Sequence, residues 1–299
     1  MIPQRPAQTL GQRDRSIVPG EFLLTAEDFR TIAQTMYSDA GIHMPESKAT
    51  LVYSRLARRL RALGLESFRS YCELITSSNG VDERQKMLAA LTTNVTRFFR
   101  EPHHFEHLKT RVLPQLLKAA ARGECVRIWS AGCSNGQEAY TIALVILSLM
   151  PDAGRHDIKI LASDIDPNVV EEGRVGVYEA GALADVNPEQ RRRFFERPSG
   201  DGAGAFSVTD DMRALVTFRE LNLFAKWPMK KPFQVVFCRN VAIYFDQEHQ
   251  SNLWKKFMSV ITPGGVLYIG HSERLVGEAA AKFVNDGITT WRLPEGVRA

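Results

Sequence analysis

The stretch Trp129-Ser130-Ala131-Gly132-Cys133-Ser134-Asn135-Gly136 passes from an apolar run into a helix-like one through small residues. Such a junction lets a ligand approach backbone N–H groups at a helix N-terminus. Alone it reads equally well as a bare turn, because the full GxGxxG spacing is missing. Asp164, at the end of the following strand-like run, adds a carboxylate able to accept hydrogen bonds from two ribose hydroxyls. Together the two features point to a nucleoside. The turn holds no lysine of the P-loop kind, so phosphates are not expected. A second polar group, Cys238-Arg239-Asn240 followed by Tyr244 and Phe245, emerges after the apolar run Phe233–Phe237, the strand end at which open α/β sheets bind ligands. Taken by themselves, Tyr244 and Phe245 also fit as core aromatics. His103 and His107 stand four apart, but no HExxH glutamate accompanies them, so this segment is expected to be a polar helix face, without metal.

The elements that must carry these residues follow from the texture of the chain. VRIWSAG (126–132), IKILASDID (158–166), FQVVFCRN (233–240), GGVLYIGH (264–271) and ITTWRL (288–293) read as strands, with helices from Gly136 to Met150 and from about Asp246 to Ile261. Strands alternating with helices predict a mostly parallel sheet covered on both faces. Between about 187 and 217 the alternation breaks: PEQRRRFFE is helical in pattern, PSGDGAG is turn-rich, and AFSV and ALVTF are short strands, which predicts an inserted antiparallel subdomain at about 187–217. Residues 21–90 are helical throughout, 91–122 form a linker, and residues 1–20, with Pro3, Pro6 and Pro19, are expected to be a disordered tail. Along Lys48–Leu63, a helical projection of about 100° per residue puts Ala49, Val52, Tyr53, Leu56, Leu60 and Leu63 on one side and Lys48, Arg55, Arg58, Arg59 and Arg61 on the other. That basic face is either ordinary solvated surface or a docking surface for an acidic partner.

Composition narrows the classes further. With 44% hydrophobic and 24% charged residues over 299 positions, the chain falls among globular proteins rather than disordered or coiled-coil ones. The longest apolar stretch, Ala143–Met150, is far short of the roughly 18 residues of a membrane span, and no signal-peptide core is evident, so a cytoplasmic protein is expected. Cys72, Cys125, Cys133 and Cys238 are scattered without CxxC or metal-ligand spacing and are expected as reduced thiols. A net charge of +4 is too small to demand nucleic acid.

Five separated segments, LTTNVTRFFREPHHF (91–105), RIWSAGCSNGQEAYTIAL (127–144), ILASDID (160–166), FQVVFCRNVAIYFD (233–246) and GGVLYIGHSE (264–273), closely resemble the CheR family of chemotaxis receptor methyltransferases. The resemblance spans about Phe22 to Leu293. It implies an α/β fold: a Rossmann-like class I methyltransferase domain at 123–299 with an inserted antiparallel β-subdomain, preceded by an all-helical receptor-docking domain at 21–90 and an active-site linker at 91–122. It further implies S-adenosylmethionine as methyl donor, S-adenosylhomocysteine as product, and glutamate side chains of chemotaxis receptors as acceptors.

Carried over by position, the resemblance implies that Asn94, Thr96 and Arg100 contribute to the cofactor pocket. Glu138 would meet the methionine part or ribose, Asp164 the adenosine ribose, and Asn222 and Leu223 the adenine. Arg239 and Asn240 would lie along the cofactor, with Tyr244 near the transferring methyl. Gln137 and Ala139 depart from the Glu and Pro common in the family, while Glu138 and Tyr140 remain. Arg55, Arg58 and Arg59 are candidates for docking the receptor's helical region, and the inserted subdomain for gripping a receptor C-terminal peptide by strand addition. A glutamate is already ionised at neutral pH, so no general base is needed. Arg100, with a planar fork matched to carboxylates, is the expected orienting group, and Tyr244 the second catalytic candidate. A monomer that neither inserts in membranes nor binds nucleic acid is expected. Two other readings stay open: a signalling module that binds the cofactor or its product without turnover, and a nucleic-acid methyltransferase, weakened by the lack of an [N/D]PPY-type segment before Tyr244.

Overall fold

The computed structural model describes residues 16–197 and 204–296; the expected tail up to residue 15 and the tip of the PSGDGAG turn lie outside them. The chain divides into two compact units, Met1–Thr92 and Thr93–Ala299.

The first unit is built from helices α1 (Ala26–Ala40), α2 (Ala49–Leu63), α3 (Phe68–Thr76) and α4 (Val81–Leu91). A reciprocal capping box starts α1: Thr25 Oγ1 accepts from Asp28 N at 3.1 Å while Asp28 Oδ2 accepts from Thr25 N at 3.0 Å. Ile32, Met36, Val52, Leu56, Leu60, Phe68, Tyr71, Ile75 and Met87 are fully buried and form its core. Val18, Phe22 and Leu24 are buried as well, and Ile17 N donates to Leu24 O at 2.8 Å. Leu63, placed on the apolar side of α2 by its periodicity, is instead exposed where the helix ends at Gly64.

The basic face of α2 is largely committed within the unit. Arg59 grips Glu83 on α4 with Nε at 2.9 Å and Nη2 at 2.6 Å, and Tyr71 OH donates to the same carboxylate at 3.0 Å. Arg55 Nη1 donates to the carbonyls of Ala90 (3.1 Å) and Thr92, closing the C-terminal end of α4. Arg61 pairs with Glu21 at the surface. Of the three arginines expected to dock a receptor, Arg58 is the exposed one.

The second unit opens with α5 (Pro102–His107), a π-helical turn (Leu108–Val112) and α6 (Leu113–Ala121). Then follow β1 (Val126–Ala131), α7 (Gln137–Leu149), β2 (Ile158–Asp164), α8 (Pro167–Val175), β3 (Val177–Glu179), α9 (Pro188–Phe194), β4 (Phe195–Glu196), β5 (Ala205–Val208), α10 (Asp210–Leu215) and β6 (Val216–Glu220). The chain continues through β7 (Phe233–Cys238), α11 (Gln247–Val260), β8 (Ile261–Ile269), α12 (Glu278–Lys282), β9 (Val284–Gly287) and β10 (Thr290–Arg292). The main sheet runs β6-β2-β1-β7-β8-β10-β9, parallel from β6 through β8 and antiparallel at β10 and β9. Its central strands are apolar on both faces, as helices on either side require. Because β1 has β2 on one side and β7 on the other, the strand order reverses there, and the crevice at their carboxyl ends is where such sheets bind ligands.

The small sheet, β3-β5-β4, is antiparallel. It begins at Val177, earlier than the insertion bounds read from the sequence, and it lacks the segment ALVTF. The segment's first two residues end α10 and the rest belong to β6, parallel to β2 at the edge of the main sheet, with Phe218 buried and Arg219 and Glu220 exposed. An edge strand buries too little to show a continuous apolar run, so its pattern resembled a hairpin strand. Among the described residues no helix is long and apolar enough to cross a membrane.

Removing one partner of a buried ion pair leaves the other uncompensated, at a cost of about 3–5 kcal/mol. Arg59→Ala, which leaves the buried Glu83 carboxylate without its guanidinium, is therefore expected to destabilise the first unit by that order in urea unfolding, whereas Arg58→Ala stays within about 0.5 kcal/mol of wild type.

Candidate active site

The β1–α7 turn is stitched to the end of β2. Gly132 N and Cys133 N both donate to Ser163 O, at 2.8 and 2.9 Å. Ser134, at φ 50°, turns its N–H onto Asp164 Oδ2 at 2.8 Å and its hydroxyl onto the Asn94 carbonyl at 2.9 Å. Gly132 has φ +79°, and a Cβ there would stand 2.3 Å from Val241 Cγ2, so the glycine is required for the β7 loop to close on this turn. Asp164 is buried, and its other oxygen accepts from Asp166 N at 3.1 Å. Each oxygen thus takes one backbone N–H and keeps a lone pair free, which fits two ribose hydroxyls. Burial raises its pKa, against the pull of those N–H groups. Asp166 caps α8 through Asn168 N (2.9 Å) and receives Asn94 Nδ2 at 2.8 Å, so Asn94 is anchored beside Asp164.

Across the strand reversal, Arg239 at the end of β7 is buried with its side chain only 2% exposed. Its Nη1 donates to Glu138 Oε2 at 3.0 Å, and Nη2 reaches the Arg100 carbonyl and lies 3.4 Å from Glu101 Oε2. Ser130 Oγ donates to the other oxygen of Glu138 at 2.6 Å. Burial raises the Glu138 pKa, with Arg239 opposing. Burial also acts on Glu101, but Arg239 and hydrogen bonds from His271 and Asn240 outweigh it and hold that carboxyl down at about 2. Glu101 itself sits at φ 58°, the left-handed region disfavoured for a side chain of this kind.

Asn240, at φ 60°, turns the chain out of β7. Glu273 holds that turn: buried, it accepts from Asn240 N (3.0 Å), Val241 N (2.9 Å), Ala242 N (2.7 Å) and Gly270 N. Burial pushes its pKa up although the four N–H groups pull the other way. A Cβ on Gly270 would come within 2.7 Å of Asn240 N, so no larger residue fits beneath the cradle. The cradle fixes the helical turn Ala242–Tyr244 and with it Tyr244, which is half-buried.

Of the residues expected at the site, Asn94 and Asp164 are joined through Ser134 and Asp166, Glu138 and the Arg100 backbone through Arg239, and Asn240 to Arg239 through Glu101. Arg100's own side chain is half-buried, bonded through Nη1 to the Val95 carbonyl at 2.9 Å, and makes no ion pair among the described residues. Thr96 lies in the same stretch, half-buried. Leu221 N donates to Asp164 O at 2.8 Å, which brings Asn222 and the buried Leu223 beside the end of β2. Gln137 is buried at the start of α7, with Nε2 3.3 Å from Asn135 Oδ1. Sequence reasoning gave no role to Glu101, Ser134, Asp166 or Glu273; the one local signal is Asp166 ahead of Pro167, the pattern of a helix cap.

The histidines are not a polar helix face, which corrects the sequence reading. His104 is fully buried, with Nε2 2.8 Å from Thr289 Oγ1 and 3.2 Å from Ile288 O, and burial with Arg239 nearby depresses its pKa to about 3, so it is neutral. His107 Nδ1 lies 2.9 Å from Tyr268 OH. The helix is turned inward because its polar atoms find partners on β8 and on the β9–β10 turn. Ligand atoms of Glu101, His103 and His104 lie within 4.8 Å of one another. The guanidinium of Arg239, 3.4 Å from Glu101 Oε2, already supplies the positive charge that such a group would otherwise attract.

A sheet of this order, parallel from β6 through β8 with β10 antiparallel and a carboxylate at the end of β2, is the class I methyltransferase fold. Residues 94–290 match the model of the CheR methyltransferase SAM binding domain, and residues 27–92 that of the CheR methyltransferase all-alpha domain. The chain belongs to the CheR methyltransferase family. It is similar to a probable chemotaxis protein methyltransferase of Rhizobium etli, 54% identical over 257 residues, covering 86% of this chain and 96% of that one. It is also similar to the chemotaxis protein methyltransferase of Escherichia coli, 39% identical over 272 residues, covering 90% and 92%.

A carboxyl whose pKa is depressed on folding contributes stability that is fully present above its unfolded pKa and is lost as pH falls through the folded one. For Glu101 the window runs from the ordinary 4.5 down to about 2. Glu101→Gln is expected to lower the melting temperature at pH 7, and the gap to wild type is expected to narrow steadily as melts are repeated from pH 4.5 downward.

Proposed function

We propose that this chain transfers the methyl group of S-adenosylmethionine to glutamate side-chain carboxylates of chemotaxis receptors, forming methyl esters and releasing S-adenosylhomocysteine. The observation that carries this reading is Arg100: a half-buried guanidinium without a carboxylate partner among the described residues, beside a network whose other arginine, Arg239, is already paired with Glu138 and Glu101. Its remaining donors match a carboxylate from a substrate.

Bound S-adenosylmethionine supplies a methyl on sulfonium sulfur, already activated for in-line displacement. The chain's task is then alignment, since the acceptor carboxylate is ionised at neutral pH and needs no base. Asp164 would hold the ribose through its two free lone pairs, while Asn222 and Leu223 flank the base. Glu138 and Glu101 share the single guanidinium of Arg239, so the crevice keeps an excess of negative charge that suits the ammonium and sulfonium of the donor. Asn94 and Thr96 would complete the pocket wall, Asn240 would lie along the donor, and Tyr244 would offer its hydroxyl to the methyl end. Arg100 orients the incoming carboxylate. Because carboxylate and sulfonium charges disappear together in the transition state, a strong ground-state ion pair would not accelerate the step, and positioning dominates.

The relatives' names direct the substrate reading to chemotaxis proteins. The first unit would dock the acidic helical region of a receptor, with Arg58 as its exposed contact; Arg55 and Arg59 would act by keeping α2 and α4 in place. The small β3-β5-β4 sheet has open edges at which a receptor C-terminal peptide could add as a strand. We place the activity in the cytoplasm, in a monomer, without a metal.

The decisive assay is transfer of radiolabelled methyl to receptor-rich membranes, followed by mild alkali. Label released as methanol is expected; alkali-stable label would mean methylation at nitrogen, and cofactor binding without any label would mean a signalling module. Arg100→Ala is expected to lower kcat/KM by about 100-fold or more while the melting temperature is unchanged and S-adenosylhomocysteine affinity falls by no more than a few-fold.

A further inference from the structure

Lys256, on α11, sends its ammonium to the loop that follows β6. Nζ donates to the carbonyls of Leu223 and Ala225, each at 2.7 Å, and stands 4.3 Å from the centre of the Trp227 ring. Trp227 Nε1 donates to the same Leu223 carbonyl at 3.1 Å, and its ring packs edge-on against the fully buried Trp129 at 4.8 Å. The other end of the loop is tied to the ribose-side carboxylate residue, through Leu221 N to Asp164 O at 2.8 Å. Within it Asn222 closes a tight turn, accepting from Phe224 N at 2.8 Å. The loop that presents Asn222 and Leu223 is therefore held at two points, the strand end at Asp164 and the ammonium of Lys256. Beside it, Leu223, Phe224, Phe245, His249, Leu253 and Lys256 line a space of about 180 Å³.

We infer that Lys256 is a positioning residue for the nucleoside base: it touches no reacting atom, but it fixes the loop carbonyls and so the side of the pocket on which the adenine rests. This deepens the reading that the crevice takes S-adenosylmethionine and rests on it. The physical case is that the ammonium satisfies two carbonyls at once where the chain leaves the sheet, with its half-buried side chain set against Trp227. Burial pulls its pKa down to about 8, which still leaves it charged at neutral pH. A methionine at this position would fill the same volume beside Trp227 while leaving both carbonyls without the donor. The loop would then relax away from Asp164, and the loss would fall on ground-state binding of the nucleoside, equally in substrate and transition state. Such a loss raises KM and spares kcat.

The test uses the full chain with Lys256→Met and Lys256→Arg. Hydrogen bonds from charged donors are worth enough that Lys256→Met is expected to weaken S-adenosylhomocysteine binding about ten-fold, with KM for S-adenosylmethionine raised alike and kcat within about two-fold. Adenosine alone, titrated as a competitor, is expected to lose affinity by the same factor, and Lys256→Arg to recover most of it. Unchanged S-adenosylhomocysteine and adenosine affinity in a folded Lys256→Met protein would overturn the inference, as would a loss of kcat at constant KM. Wild type that fails to bind S-adenosylhomocysteine would remove the methyltransferase reading and this inference with it; wild type that binds, with an indifferent variant, refutes Lys256 alone. Should Lys256→Met not fold, hydrogen exchange on wild type decides: residues 221–227 are expected to gain protection with S-adenosylhomocysteine, and no gain would refute the role.

Discussion

A buried guanidinium shared between two carboxylates organises the second unit. Taking Arg239 out of water costs several kcal/mol, and only close, multiple partners repay that cost. The three partners come from two places in the chain: Glu138 in the first turn of α7, and Glu101 ahead of α5 with the Arg100 carbonyl next to it. Their meeting pins the segment before α5 to the reversal point of the sheet. It also explains the strained backbone there. Phe99 and Glu101 both have positive φ, a conformation that persists only where the surroundings over-determine it. Burial is the main upward pull on the Glu138 pKa, Arg239 opposes it, and the nearby Glu101 adds to it; two carboxylates around one guanidinium leave an unbalanced negative charge. A cation entering the crevice would relieve it.

The second constraint is Glu273, whose carboxylate does the work of several backbone acceptors. Beyond the end of β7 the chain leaves the sheet, and three successive N–H groups, from Asn240 to Ala242, lose their strand partners. Buried donors without acceptors would each cost about 1–3 kcal/mol. Glu273 collects all three and Gly270 N as well, so the loop can be rigid without being regular. Rigidity here sets where Arg239 and Tyr244 point, because both flank the cradle.

The fold was largely legible because its signals are local. Apolar runs ending in small or acidic residues marked β1, β2, β7 and β8, and the helices between them followed from length and periodicity. What failed was also local in origin. Val216–Glu220 sits at a sheet edge, where half its residues face water, so its pattern carried no sign that it belongs to the main sheet. The site divides in the same way. Asp164, Arg239 and Asn240 stand at strand ends that could be read, whereas Glu101 and Glu273 act on groups distant in sequence, and no spacing rule reveals such a partner. His104 was misjudged for the same reason: its partners at Ile288 and Thr289 turn a residue with polar neighbours into a core one.

The arginines of α2 show how far a charge pattern can be trusted. Periodicity located the basic face, yet it could not separate a charge offered to a partner from one consumed by the fold. Glu83 is nearly inaccessible and takes both forks of Arg59, while Arg55 serves the end of α4. A bidentate pair with a buried carboxylate is too costly to open for a surface contact, so Arg59 is best understood as shaping the helix pair and Arg58 as facing outward. The second unit applies the same division: Arg239 is locked in place by its carboxylates, and that leaves Arg100 as the guanidinium with donors to spare. In both units the committed arginine builds the surface and its neighbour remains able to meet a carboxylate from outside.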